Sequence, residues 1–363
     1  MTSGLAPKWA SAPASTIRAV LAEREMSTED LANALGISEA DAIDLLDQRL
    51  SINADLATRL SFGLGASARF WLTREAEYIE DRLRVLAADW SNTLPVSQMS
   101  QFGWIDGPRN WRERIEACLG FFGVDDIEEW QEHYSTQVSV AHYRKSPSFE
   151  NDERSTLVWF RAGERAVEGH VDLRPFDAQQ LRNRLPALRT LTRQADPAKF
   201  IPELQRLCAQ AGLLVAVVRA PNGCKVSGAS RWVKGGRPLV QLSARHRSDD
   251  HLWFTFFHEI GHVLLHGAEH QPFIDLDASP GDEKDTFEDE ADRFAESVLL
   301  GDGAVADEIR AADMREIIRF AARLGVSPGI VVGQLQHSGR LTNDQMNHLK
   351  RRYQWEATTL VAS

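Results

Sequence analysis

The stretch 253–266 contains His258-Glu259-x-x-His262 within an otherwise apolar run, and this pattern strongly constrains what the chain can form. On an α-helix, the four-residue spacing places both imidazoles on one face, one turn apart, with Glu259 beside them. Two imidazoles can bind one zinc ion, and the adjacent carboxylate can take a proton from a water molecule there. The pattern therefore predicts a helix that carries a zinc-peptidase site and needs a third ligand from elsewhere.

The third ligand is predicted in the segment 287–300, where apolar residues recur at helical spacing. Glu288 and Asp292 are four residues apart on one face, so Glu288 can bind the metal while Asp292 holds a ligand histidine by its second ring nitrogen. Glu290 is an alternative ligand, because the segment 282–292 contains seven acidic residues. His251 and His266 lie near the same metal face, where surface or supporting roles are the commoner ones.

Length and composition limit the remaining possibilities. With 363 residues and 43% hydrophobic content, the chain is long enough for two or three packed domains. It contains no apolar run of eighteen residues and no export signal at its N-terminus, so a cytoplasmic protein without a membrane span is expected. Three widely separated cysteines fit core positions in a reducing compartment. The net charge of −11 disfavours attraction of the whole molecule to nucleic acid.

The N-terminal region has the pattern of a helix-turn-helix. Helices are predicted at 15–25, 28–35 and 38–46, with Ser27 or Thr28 and Ser38 as N-caps and Gly36 as a stop. The helix that would read DNA bases is acidic, however, and residues 1–85 contain nine basic against thirteen acidic residues, a net charge of −4. DNA binding is therefore doubtful, and a protein-contact or dimerisation role is the alternative.

Two resemblances to known families follow from these residues. The stretch 56–72, followed by Tyr78, resembles the HigA-type antitoxin branch of Cro/repressor-like helix-turn-helix proteins. Val240-Gln241-Leu242-Ser243, the Phe256–His266 core and the segment 288–295 together look like the ImmA/IrrE family of metallopeptidases. The second resemblance implies a gluzincin-like fold, zinc, the ligands His258, His262 and Glu288, and Glu259 as the general base. It also implies limited proteolysis of a transcriptional repressor, in transcription regulation and stress response.

One position departs from the second family. The chain has Asp292 where the ImmA/IrrE family often has Asn. This difference keeps the ability to form hydrogen bonds but adds a negative charge.

The rest of the chain divides by composition and periodicity. Pro- and Gly-bearing residues 91–108 are predicted as a linker, and residues 109–199 as a helical middle region. Strands are predicted at 213–218, 226–233 and 238–242, which would form a small antiparallel sheet whose edge at 227–232 could hold an extended peptide. Residues 302–363 are predicted as a helical extension.

The predicted fold class is mostly α with a small antiparallel β-sheet (α+β). Its parts are a helix-turn-helix domain at 1–90, the linker, the middle region, a gluzincin-like metallopeptidase core at 200–301 and the C-terminal extension. The predicted function is a zinc-dependent endopeptidase that cuts a regulatory protein, as a monomer or a homo-oligomer. The alternative is a helix-turn-helix regulator or antitoxin whose metal domain is a sensor or scaffold. Candidates for stabilising the oxyanion are Arg231, His266 and Tyr143.

Overall fold

A computed structural model describes residues 11–142, 153–169, 174–233, 235–267, 273–276, 286–301 and 313–363. It is mostly helical with two small sheets, which confirms the predicted α+β class. The chain divides into two compact units, one formed by residues 1–93 with 108–116 and the other by 94–107 with 117–363. Across the described ranges, no helix combines the length and apolar character needed to cross a membrane. The domain boundaries predicted from the sequence stay predictions.

The first unit contains five helices at its start: α1 (Pro13–Glu23), α2 (Thr28–Leu35), α3 (Glu39–Leu46), α4 (Ala54–Gly63) and α5 (Ala68–Asn92). The predicted caps explain two of the boundaries. The side chains of Ser27 and Ser38 accept hydrogen bonds from backbone N–H groups in the first turns of α2 and α3, and Gly36 ends α2 at a φ of +61°. The helices predicted at 28–35 and 38–46 are confirmed, within one residue.

The remaining helices are α6 (Val96–Gln101), α7 (Trp111–Phe122), α8 (Ile127–His142), α9 (Glu153–Val167), α10 (Ala178–Leu191), α11 (Pro197–Ala209), α12 (Asp249–Leu265), α13 (Thr286–Leu300), α14 (Met314–Leu324) and α15 (Pro328–His337). The predicted linker, 91–108, includes the end of α5 and all of α6. All three cysteines are buried and none forms a disulfide bond, which confirms their prediction as core residues.

The larger sheet has four strands in the order β1 (Leu214–Val217), β3 (Arg237–Leu242), β2 (Val226–Val233) and β4 (Phe273–Leu276). The prediction of a purely antiparallel sheet is wrong for one pair, because β1 and β3 are parallel. After β1 the chain forms β2, which lies one strand further along the sheet, and then turns back through a hairpin into β3. Strand β3 fills the place between β1 and β2 and runs in the same direction as β1.

The predicted peptide-binding edge at 227–232 is also wrong over most of its length. Strand β2 pairs with β3 on one side and, from Val226 to Ser230, with β4 on the other. Its hydrogen-bonding edge is therefore occupied there by β4, which follows the HExxH helix in the chain. In the described sheet the outer strands are β1 and β4.

The C-terminal extension is only partly helical, which corrects the prediction. After α15, the chain ends in the hairpin β5 (Tyr353–Glu356) and β6 (Thr359–Ala362). Tyr353 and Leu360 are both 2% exposed and pack in the same core cluster as the apolar residues of α12. In the hairpin Leu360 is paired with Trp355, so these two side chains lie on the same face as that of Tyr353.

The C-terminal segments hold the N-terminus of α12 in place. The Asp249 carboxylate accepts hydrogen bonds from Ser327 Oγ (2.7 Å) and from the backbone N–H of Arg351 (3.0 Å). Lys350 Nζ lies 2.5 Å from Asp250 Oδ2, with both side chains 7% exposed. Because buried charges need partners, these contacts fix where α12 begins.

Candidate metal centre

Helices α12 and α13 approach most closely at Gly261, between the two histidines of the HExxH pattern. A Cβ at Gly261 would lie 3.1 Å from Ala291 Cα and 3.2 Å from Phe294 Cδ1. These contacts are tighter than ordinary van der Waals contact, so a side chain at this position would require α13 to shift by a few tenths of an ångström. The close approach brings the first turn of α13, with Glu288, over the histidine face of α12.

Three donor atoms converge between these helices. His258 Nε2 lies 3.0 Å from His262 Nε2 and 3.1 Å from Glu288 Oε2, and the distance from His262 Nε2 to Glu288 Oε2 is 3.5 Å. Within the described part of the chain, these three residues are the one His/Cys/Asp/Glu group close enough to hold a metal ion. The structure therefore brings together the three predicted ligands.

The donor set fits zinc. Zinc bonds of about 2.0–2.1 Å at tetrahedral angles separate neighbouring donors by about 3.3 Å, close to the three separations observed. Two imidazole nitrogens and one carboxylate oxygen suit zinc better than the oxygen-preferring ions, manganese included. The three side chains leave a fourth tetrahedral position for a water molecule or substrate.

Both the orientation and the charge of the donors suit metal binding. Asp292 Oδ1 lies 2.9 Å from His258 Nδ1, so this carboxylate can accept the Nδ1–H when Nε2 binds a metal. Burial lowers the pKa of His262. Burial alone would raise the pKa of Glu288, but hydrogen bonds with the two histidines hold it far below its usual range. Both shifts favour the deprotonated forms of His262 and Glu288, which are the forms that bind a metal.

Glu259 lies on the side of α12 that faces strand β2. The residue is fully buried, and a Cβ built on Gly228 would come within 2.7 Å of its Oε1 and 2.4 Å of Thr255 Cγ2. The Glu259 carboxylate is thus held against a strand position that has no side chain. Sequence reasoning missed Gly228; its position inside a predicted strand was the available signal, because such a glycine often marks a close approach.

Other sequence candidates lie elsewhere or have different contacts. Glu290, the alternative ligand, accepts from His266 Nε2 at 3.0 Å instead of joining the donor group. His251 stacks on His246, with ring centroids 4.2 Å apart.

Arg231 donates to Phe160 O and Gln241 Oε1. Residues 228 and 231 of β2 are an odd number of positions apart, so they point to opposite faces of the sheet. Gly228 faces α12 and Arg231 faces away from it, so the oxyanion role proposed for Arg231 is wrong. Tyr143 lies outside the described residues.

A helix-borne histidine pair, an adjacent buried glutamate and an acidic donor from a second helix form the type of site found in metallopeptidases. Residues 214–336 match the model of the Peptidase_M78 family, described as the IrrE N-terminal-like domain. This match supports a metallopeptidase domain of the ImmA/IrrE type in that part of the chain. It extends past residue 301, the predicted end of the core, through α14 and most of α15. A search of curated proteins finds no match.

Proposed function

We propose that this protein is a zinc-dependent endopeptidase that performs limited proteolysis of a regulatory protein. The observation that carries the proposal is the convergence of His258 Nε2, His262 Nε2 and Glu288 Oε2 at separations of 3.0–3.5 Å, with Glu259 one residue from the first of them. A purely structural metal site has no need of an adjacent general base.

The residues of the chain have distinct tasks in the proposed reaction. When bound, zinc would polarise the scissile carbonyl and a water molecule as a Lewis acid. Glu259 takes the proton from the attacking water and passes it to the leaving amine. Asp292 keeps the proton of His258 on Nδ1, so that Nε2 stays a donor toward the metal. Burial of Glu259 and His262 excludes bulk water from the reacting groups.

We propose a helix-turn-helix transcriptional repressor as the substrate, on the resemblance of residues 240–295 to the ImmA/IrrE family. In this proposal, the HigA-like N-terminal residues recognise a protein partner. The charges at α3 support protein contact over DNA contact: Arg49, the basic residue that follows this helix, pairs with Asp44 (2.8 Å) and Asp47 (3.2 Å). A phosphate would have to compete with these carboxylates for the guanidinium.

The alternative is a DNA-binding regulator or antitoxin whose metal domain is a sensor or scaffold. Binding to the protein's own promoter region, measured across a salt series, separates the two. Specific binding that falls steeply with salt would favour the regulator, and no preference over random DNA would favour the enzyme.

The test of the metal centre is the zinc content of the purified protein by elemental analysis, compared with His262→Ala and Glu288→Gln. The control is Glu203→Gln, which removes a surface carboxylate paired with Arg206 on α11. We expect about one zinc per chain in the wild type and the control, and loss in both site variants. Absence of metal from wild-type protein supplied with zinc would overturn the proposal.

The substrate is sought with Glu259→Gln, which keeps all three donors and removes the base. We expect this variant to bind zinc like the wild type, to lose at least about 100-fold in peptidase activity, and to retain its uncut partner. Cleavage at the wild-type rate would exclude Glu259 as the base.

A further inference from the structure

His266, the residue that directly follows α12, lies between a metal-site histidine and an acid of α13. His266 Nδ1 lies 3.1 Å from His262 Nδ1, and His266 Nε2 lies 3.0 Å from Glu290 Oε2. The His266 side chain is 3% exposed, and the Phe287 ring packs edge-on against it with centroids 4.6 Å apart. His262, His266 and Glu290 therefore form a hydrogen-bonded chain in which the two histidines are shielded from water and the carboxylate of Glu290 is partly exposed.

We propose that His266 and Glu290 are positioning residues that determine which ring nitrogen of His262 faces the metal. This inference rests on the proposed metal centre, and it assigns a role to two residues that are not ligands.

The direction of the chain of hydrogen bonds follows from proton counting. With zinc on His262 Nε2, the hydrogen of this imidazole lies on Nδ1 and points at His266 Nδ1. An imidazole that accepts at Nδ1 carries its N–H on Nε2, so His266 then donates to Glu290. These contacts favour the His262 tautomer whose lone pair is on Nε2. That nitrogen is the atom that faces His258 Nε2 and Glu288 Oε2.

The two histidines of the donor group are thus oriented in different ways. Asp292 contacts His258 directly, whereas Glu290 acts on His262 through His266. Because Glu290 and Asp292 are two residues apart on α13, they project in different directions and reach different rings. Helix α13 therefore supplies one proposed ligand, Glu288, and fixes the proton positions of the other two, His258 and His262.

The test compares zinc affinity in wild-type protein, His266→Phe and Glu290→Gln, measured by competition with a chromophoric chelator. The phenylalanine fills the ring volume without accepting from His262, and glutamine can donate as well as accept, so neither dictates the tautomer. Controls are Leu265→Ala, at a neighbouring side chain that is 45% exposed, and Glu203→Gln for the change of charge. We expect affinity to fall by about 10- to 100-fold in both test variants and to stay within twofold in both controls.

A second measurement reports the tautomer without metal or activity. Long-range ¹H–¹⁵N spectra of the apo protein distinguish Nδ1–H from Nε2–H imidazoles. We expect the fraction of His262 that carries its hydrogen on Nδ1 to be larger in the wild type than in Glu290→Gln. Because Glu290 is partly exposed, this variant keeps the test valid should His266→Phe fail to fold.

The outcomes separate the two proposals. Tight zinc binding in the wild type with equal affinity in both variants would overturn the positioning role and leave the metal centre intact. An equal distribution of His262 tautomers in the apo forms of the wild type and Glu290→Gln would also overturn it. No zinc binding by the wild type would overturn the metal centre and, with it, the role assigned to His266 and Glu290.

Discussion

Gly228 on β2 lies directly against the carboxylate of Glu259 on α12: a Cβ at this glycine would come within 2.7 Å of Oε1. The position of the proposed general base is therefore determined by a strand residue that precedes it by thirty-one positions. The same Cβ would lie 2.4 Å from Thr255 Cγ2, so neither neighbour has room to accept it.

Gly228→Ala should separate base function from metal binding. The added methyl group displaces Glu259. The three metal donors lie between α12 and α13, on another side of α12, so the substitution leaves them in place. We expect peptidase activity to fall by at least about tenfold, because misplacement of a catalytic group by 1 Å can cost 100-fold, with about one zinc per chain retained. Activity assays and elemental analysis check this. Gly120→Ala, at a helical glycine with nothing within 4 Å of its Cβ, is the matched control.

Gly261→Val should disturb the donor set itself. Its side chain would press on the backbone of Ala291 and push α13, with Glu288, away from the two histidines. Overpacking of this kind costs about 1–3 kcal/mol in free energy of unfolding. We therefore expect lower stability in denaturant titration together with weaker zinc binding. Unchanged zinc affinity in Gly261→Val would show that the close contact of α12 with α13 does not position Glu288. Gly120→Val is the control for the effect of a valine in a helix.

Zinc should stabilise the folded protein against heat. A ligand that binds only the folded state adds about 2.7 kcal/mol at a free concentration 100 times its Kd. We expect added zinc to raise the melting temperature of the wild type and of Glu203→Gln, and chelation to restore the original value. The melting temperature of Glu288→Gln should not change with zinc. A rise of equal size in Glu288→Gln would contradict the assigned donor set.

The Asp250–Lys350 pair should make the stability of α12 depend on pH. Burial alone would raise the pKa of Asp250, but hydrogen bonds from Lys350 and Ser248, together with nearby positive charge, outweigh it and the pKa is lowered. The stabilising contribution is therefore present above the unfolded pKa of about 3.9 and is lost as pH falls through the folded pKa. We expect Asp250→Asn to cost about 3 kcal/mol at pH 7, because it leaves Lys350 buried without its counter-charge.

Denaturant titrations of wild type and Asp250→Asn between pH 7 and pH 3 check this dependence. The difference in free energy of unfolding should shrink below about pH 4. Lys350→Met removes the other partner and should also destabilise at pH 7. A difference that stays constant across this range would exclude the ion pair as its source.

The sequence indicated the local elements well. Side-chain capping and periodicity depend on residues within one or two turns, and they predicted α2, α3 and strand β2 closely. The pairs His258/His262 and Glu288/Asp292 could be assigned to helix faces for the same reason. Their roles in binding and catalysis remain proposals.

Contacts between distant segments were not accessible in this way. The position of β4 beside β2 and the C-terminal hairpin were missed, because strand pairing depends on which edge is free once the other elements have packed. Glu290 could be distinguished from Glu288 only when the crossing of α12 and α13 was known.

The sequence by itself determined the chemistry offered by each helix: two imidazoles and a carboxylate on α12, and acids at fixed spacing on α13. Periodicity reports which side chains share a face of one element, and this information is local. Only the tertiary structure decided which of those atoms meet. The approach at Gly261 and Ala291, the contact of Gly228 with Glu259, and the link from Glu290 through His266 to His262 depend on how helices and strand pack together.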